Sequence, residues 1–265
     1  MKNKNIKKYS DIKVPEGKML IVPNDNRLLE MPPYVNSSSP PPQWLKETPN
    51  NQSSIKRCAS TVDYLSLGTT IPSWTNFRYI FDHEKGWGVG IDQLSNVEEK
   101  EPFMIQPFSY EQTGSCPMTN VRDVKDSGYP KLVSPFKIVT APGWSTLVLP
   151  VLFEPSPHYS VVPGIVNTDY YHELNCVLNL TGSKNFTIAW GTPLMTLIPI
   201  KRSSLQHSLE FLDSSIFELL HGRGFNFGAL TPSSGESTAR PYRAQRIAED
   251  QKLKDMVHKK HWWNK

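Results

Sequence analysis

A chain of 265 residues with 38% hydrophobic and 20% charged residues has enough apolar material for a core, and no apolar run approaches the roughly 18 residues that would span a bilayer. Its 23 prolines against 15 glycines argue for many loops and few long helices. The net charge of +4 is too mild to suggest a nucleic-acid partner, and it comes largely from lysines near the two ends, which are read as solvated tails.

Three cysteines, Cys58, Cys116 and Cys176, are widely spaced with no Cys-x-x-Cys. They are expected as buried thiols, not as a disulfide framework or a zinc site. The opening MKNKNIKKYSDIK lacks the apolar segment of a signal peptide, so neither a secreted nor a transmembrane protein is expected.

In chain order, Lys18 to Val22 (KMLIV) is a first predicted strand, closed by Pro23 and Asn24-Asp25-Asn26. Met31 to Ser54 is rich in Pro, Ser and Asn, which suits an extended arm and excludes a core strand or long helix. Trp44 on that arm is a candidate partner-binding residue. Val62, Tyr64, Leu65 and Leu67 suggest a short helical or turn element closed by Gly68, and Trp74 to Phe81 a strand with Phe77 and Tyr79 on one face. The Gly86, Gly88, Gly90 series has no helix-forming stretch or Gly-Lys-Ser/Thr after it, so it reads as a hairpin and not a phosphate loop.

Pro102 to Pro107, Leu132 to Val139, Ser145 to Val151, Val161 to Val166 and Glu173 to Leu180 continue the strands, and Phe186 to Ala189 with Leu194 to Ile200 is expected to form a pair. Alternating short runs cut by Pro, Gly and Asn give an antiparallel all-β core. Beyond it, Leu209, Leu212, Ile216, Leu219 and Leu220 fall at helical spacing. Residues 222–241 read as a flexible linker and 242–265 as a charged helix ending in Trp262-Trp263, a second candidate partner contact. The organisation expected is therefore an arm over 1–54, a β core over 55–202, a helix packed on core or partner over 203–221, then linker and tail.

Several pieces of the chain resemble an uncharacterised family, known as a domain of unknown function, found in tailed bacteriophages, notably marine ones, and in bacteria. They are Pro42-Gln43-Trp44-Leu45, Ile55-Lys56-Arg57-Cys58, Thr140-Ala141-Pro142-Gly143-Trp144-Ser145, Gly164-Ile165-Val166-Asn167-Thr168-Asp169 with Pro163 before it, and Gly191-Thr192-Pro193-Leu194 before Ile198-Pro199. That resemblance implies a phage origin, with the host cytoplasm or the virion as location. It brings no activity. Members of that family more often carry an acidic residue where this chain has Asn167.

Gly164 through Tyr170, with Phe186-x-Ile188-x-x-Gly191-x-x-Leu194 downstream, is also similar to the trimeric dUTPase and dCTP deaminase superfamily. The resemblance implies a dUTPase-like jelly-roll or β-barrel core and a nucleotide site at that turn, where an acidic residue activates water on a metal-bound triphosphate. Asn167 stands where that carboxylate belongs, and an amide cannot accept a proton from water near neutral pH. The superfamily's Arg-Ser-Ser phosphate motif is read as absent, because Pro142 to Leu147 offers hydroxyls but no arginine.

Candidate ligand-binding residues are Trp144, Ser145, Gly164, Asn167, Asp169 and Tyr170, with Asp169 and Glu173 the candidate acids. Asn167 and Asp169 can equally cap a tight turn. No His-x-Asp or His-x-Glu occurs, so a two-histidine, one-carboxylate metal site is not expected. The function expected is a non-catalytic, phage-encoded binding or assembly protein, without cofactor, making protein contacts or a homo-oligomer. The alternative is a nucleotide-binding or nucleotide-hydrolysing dUTPase-like enzyme or sensor using Mg²⁺.

Overall fold

The computed structural model describes residues 8, 11–24, 43–50, 54–57, 59–65, 67–82, 86–91, 105–107, 129–151, 155–181, 184–215 and 251. The chain divides into two compact units, Met1–Ser39 with Leu67–His207, and Pro40–Ser66 with Ser208–Lys265. No helix among the described residues is long and apolar enough to cross a membrane.

The first unit is all-β, as expected, and every strand pair in it is antiparallel. Strand β1 (Met19–Pro23) leads to β2 (Thr69–Pro72), β3 (Phe77–Asp82), β4 (Gly86–Ile91) and β5 (Ile105–Pro107). Then follow β6 (Pro130–Thr140), β7 (Trp144–Pro150), β8 (Tyr159–Val161), β9 (Gly164–Val166), β10 (Glu173–Leu180), β11 (Phe186–Ile188) and β12 (Pro193–Lys201). They make three sheets: β1-β6-β10-β8 with β5 also on β6, then β11-β3-β4, then β2-β12-β7-β9. No closed barrel is formed by the described strands.

Alternation explains which face is buried. On β3 the side chains run buried, exposed, buried, exposed, so Phe77 and Tyr79 point inward as the period of two requires. They join Trp74, Phe136, Leu132, Leu174, Leu178 and Leu197 in one apolar core. Trp74 is fully buried and meets Phe77 and Phe136 edge-on, at centroid distances of 5.7 and 6.4 Å, the geometry that ring quadrupoles favour.

Two corrections to the expected strand plan have clear causes. The run Val161 to Val166 is two strands. Pro163 has no N–H to give a ladder, and β8 pairs with β10 while β9 pairs with β7. Nor do the last two strands pair with each other: β11 lies on β3, and β12 lies between β2 and β7. The corner between them is pinned from outside, by Gly191 N–H on Ser73 O at 2.8 Å and Ser73 N–H on Thr192 O at 2.7 Å, with Gly191 at φ +80°. A turn held by Ser73 sends the two strands into different sheets.

The second unit contains α1 (Gln43–Glu47) and α2 (Ala59–Leu65). Trp44 therefore sits on a one-turn helix, where Thr48 caps it by donating its hydroxyl to Trp44 O at 2.8 Å. The helix expected from Leu209 is absent over 209–213, which have no regular structure, and helix is first recorded at Ser215. Leu209, Phe211 and Leu212 are exposed there, so the apolar stripe that would have stabilised such a helix by packing is not packed. The remainder of that helix, the linker, the charged tail and Trp262-Trp263 lie outside the described residues.

Candidate functional site

Three strand ends converge on the turn that the sequence singled out. Strand β6 ends at Thr140, and Ala141-Pro142-Gly143 turns it into β7, with Trp144 N–H on Ala141 O at 3.0 Å and Gly143 at φ +80°. Pairing of β9 with β7 sets Val166 opposite Thr146, which brings Asn167 alongside Ser145. Pairing of β12 with β7 sets Ile200 opposite Ser145 and Lys201 opposite Trp144, which delivers Arg202.

The turn itself runs from Asn167 to Tyr171, closed by Tyr171 N–H on Asn167 O at 2.9 Å. Beneath it lies a buried hydroxyl cluster. Thr168 Oγ1 is 2.8 Å from both Thr140 Oγ1 and Thr146 Oγ1, and all three residues are buried. His172 Nδ1 lies 3.0 Å from Thr168 O and 3.2 Å from Ile138 O; two carbonyl acceptors require that this nitrogen carry the proton. His172 is thus a tie between β6 and the turn.

Above the cluster, Asp169 is fully engaged. Arg202 Nη1 donates to its Oδ1 at 2.7 Å, Nη2 donates to its Oδ2, and Gly143 N–H donates to Oδ2 at 3.0 Å. Hydrogen bonds from the Arg202 guanidinium, supported by the Gly143 N–H, hold the Asp169 carboxyl below the usual aspartate range, against a smaller opposing effect of burial. The same contact raises Arg202. Arg202 also reaches Trp144 O and Ser145 Oγ, each at 3.3 Å, and its own N–H bonds Gly143 O at 2.9 Å.

Asn167 is used at both ends. Ser145 Oγ–H donates to Asn167 Oδ1 at 2.7 Å, and Asn167 Nδ2 donates to Tyr170 Oη at 2.8 Å. Tyr170 and Tyr171 are nonetheless exposed, Tyr170 by 69%, with the Arg202 guanidinium carbon 6.0 Å from the Tyr170 ring centroid.

Of the residues expected here, Ser145, Asn167, Asp169 and Tyr170 come together. Trp144 contributes its main-chain carbonyl; the tip of its ring points toward Gly17, where an added Cβ would lie 3.7 Å from it. Gly164 is exposed in β9 with open space where a Cβ would stand. Glu173 opens β10 in register with Lys137, and among the described residues it makes no hydrogen bond to Asn167 or Asp169. Among the described residues no group of three His, Cys, Asp or Glu side chains is placed to hold a metal ion.

The residue that sequence reasoning missed is Arg202. An Arg-Ser-Ser triplet does occur, at Arg202-Ser203-Ser204, outside the Pro142 to Leu147 interval where an arginine was sought. Only the β7–β12 register makes it a neighbour of Ser145.

Chemically the arrangement is a braced turn. A carboxylate held by a bidentate guanidinium and a backbone N–H is a weak base, and the Asn167 amide has no base to offer. What faces outward is a tyrosine pair on a rigid mount.

No family model matches this chain, and no curated protein matches it. Among solved structures it is similar to the native EIAV dUTPase, at 19% identity over 32% of this chain and 69% of that one, with a TM-score of 0.26.

Proposed function

We propose that this chain is a non-catalytic binding or assembly protein, in which the β unit is a scaffold and the Asn167–Tyr171 turn is one of its contact elements. The observation that carries the reading is the commitment of Asp169: both of its oxygens are taken by Arg202, and one also by Gly143 N–H. A turn braced in this way favours presentation of side chains over turnover. Exposed Tyr170 and Tyr171 suit it, because tyrosines supply large contact area at little entropic cost. The sequence likeness to the phage family supports a phage-encoded protein that acts in the host cytoplasm or in the virion.

Two measurements test this. Calorimetric titration of the purified chain with Mg²⁺ and each common deoxynucleoside triphosphate should show no turnover; hydrolysis that Asp169→Asn abolishes would refute the reading. Deletion from Gly222 onward should leave the β unit folded while weakening an oligomer or complex seen by light scattering. Unchanged mass and unchanged co-purifying proteins would count against it. Mass spectrometry of purified particles would decide virion location.

A further inference from the structure

The hydrogen bonds around Asn167 run in one direction, with the amide oxygen toward Ser145 and the amide nitrogen toward Tyr170. A guanidinium carries donors only, so at the 3.3 Å contact Ser145 Oγ accepts from Arg202 Nη1, sharing with Trp144 O the N–H that Asp169 Oδ1 does not hold. The single Ser145 proton then goes to Asn167 Oδ1, 2.7 Å away. With its oxygen turned to Ser145, the amide presents Nδ2 to Tyr170 Oη at 2.8 Å, and there the tyrosine accepts. Its own proton is therefore not spent on Asn167, and among the described residues it reaches no acceptor.

We propose that the Tyr170 hydroxyl is an outward-facing donor for an oxyanion, a carboxylate or phosphate oxygen of a ligand or partner, and that Asn167 keeps it so. The inference rests on the binding reading of the same turn and gives its ligand chemistry. Three features support it. The ring is 69% exposed, so an acceptor can reach the hydroxyl. The donor series starts at a cation, and serial hydrogen bonds polarise one another, which strengthens the last donor. A charged acceptor makes the stronger partner for a hydroxyl.

The inference also gives Asn167 a positive role. A carboxylate at that position accepts only, so it would take the Tyr170 proton inward and reverse the final link. An amide sends its own proton outward instead. In this chain residue 167 sets the polarity of a recognition group, which a water-activating acid could not do.

The test is an NMR titration of the ¹⁵N-labelled full-length chain, followed at the backbone amides of residues 170 and 171, which every variant below retains. Sodium phosphate is used in one arm and sodium acetate in another, at constant pH with chloride matching the ionic strength. A saturable shift in at least one arm is expected, and the responsive arm identifies a phosphate-type or a carboxylate-type oxyanion. Tyr170→Phe keeps the ring and loses only the hydroxyl, and should weaken binding tenfold or more, about 1.4 kcal/mol. Asn167→Asp should weaken it as much. Asn167→Ala, which adds no charge and leaves the phenol unoriented, should weaken it less.

No saturable shift in either arm, or unchanged affinity in Tyr170→Phe, overturns the proposal. Wild-type affinity in both Asn167 variants overturns the part given to Asn167. Assembly measured by light scattering is independent of these titrations, so loss of the oxyanion response with assembly intact would leave the scaffold reading standing.

Discussion

Arg202 grips Asp169 with both of its terminal nitrogens across 33 residues of sequence. The pair fastens the end of β12 to the turn after β9, and the Arg202 contacts to Trp144 O and Ser145 Oγ extend the fastening to β7. One guanidinium thus ties together three segments that meet only in the folded chain.

Replacing Asp169 by Ala should lower stability by about 1.5–3 kcal/mol, the range for hydrogen bonds to charged groups. It leaves the Gly143 N–H without this acceptor and the Arg202 guanidinium without its carboxylate. Urea unfolding of wild type, Asp169→Ala, Arg202→Ala and the double variant would give the coupling directly. A double variant no less stable than either single variant is expected, and strict additivity would show that the pair is not coupled.

The same pair sets a pH dependence. The folded-state pKa of Asp169 is depressed, so the unfolded chain binds this proton more readily and the contribution is fully present above the unfolded carboxyl value. It is lost as pH falls through the folded one. Wild type should therefore lose its advantage over Asp169→Asn as the pH is lowered below about 4. Thermal melts of both proteins from neutral to acid pH would reveal this as converging midpoints, and parallel midpoints would contradict it.

Most of the fold was legible in the sequence because it rests on local alternation. Glu173 to Leu180 is read with its observed bounds, and Phe77 and Tyr79 face inward as their spacing requires. What local pattern does not carry is pairing. Phe186 to Ile188 and Pro193 to Lys201 are both strands, yet Ser73, more than a hundred residues earlier, sends them to different sheets. The site shows the same division. Ser145, Asn167, Asp169 and Tyr170 stood out by residue type, whereas Arg202 becomes part of the site only through the β7–β12 register, a long-range property. The Leu209 stripe had helical spacing but is not packed over 209–213, and spacing alone does not make a helix.

Two glycines with left-handed backbone should respond differently to alanine. Gly68 is at φ +71°, and a Cβ there would lie 2.3 Å from Leu197 O and 2.8 Å from Ile198 Cγ1. Gly143 is at φ +80° with nothing within 4 Å of the same atom. Gly143→Ala should cost only the left-handed penalty, about 1–2 kcal/mol. Gly68→Ala adds a collision with backbone and should cost clearly more. Equal denaturation midpoints for the two variants would refute the steric part of this account.

Cys176 is buried on β10, and burial pushes its thiol well above the ordinary cysteine range. Since the thiolate is the reactive species, the native protein should leave Cys176 unmodified by iodoacetamide at pH 8, and denaturant should expose it. Peptide mass mapping before and after unfolding checks this site separately from Cys58 and Cys116. Rapid native labelling of the Cys176 peptide would mean that the β6-β10-β8 sheet opens readily.

The three buried threonines carry the last test. Thr168 Oγ1 stands between Thr140 Oγ1 and Thr146 Oγ1 with a single proton to give. Either Thr168 donates to Thr140, freeing the Thr140 proton for Trp144 O at 3.1 Å, or it donates to Thr146, freeing that proton for Met19 Sδ at 3.7 Å. A carbonyl oxygen is the better acceptor, so the first arrangement should prevail. Thr168→Val removes the central hydroxyl without changing the shape, and it takes one hydrogen-bond partner from the buried hydroxyl on each side. It should cost about 1–3 kcal/mol, whereas Thr146→Val, which removes only the outermost donor of the favoured arrangement, should cost less. Denaturation of the two variants compares them, and a larger loss in Thr146→Val would show that the protons run toward Met19 instead.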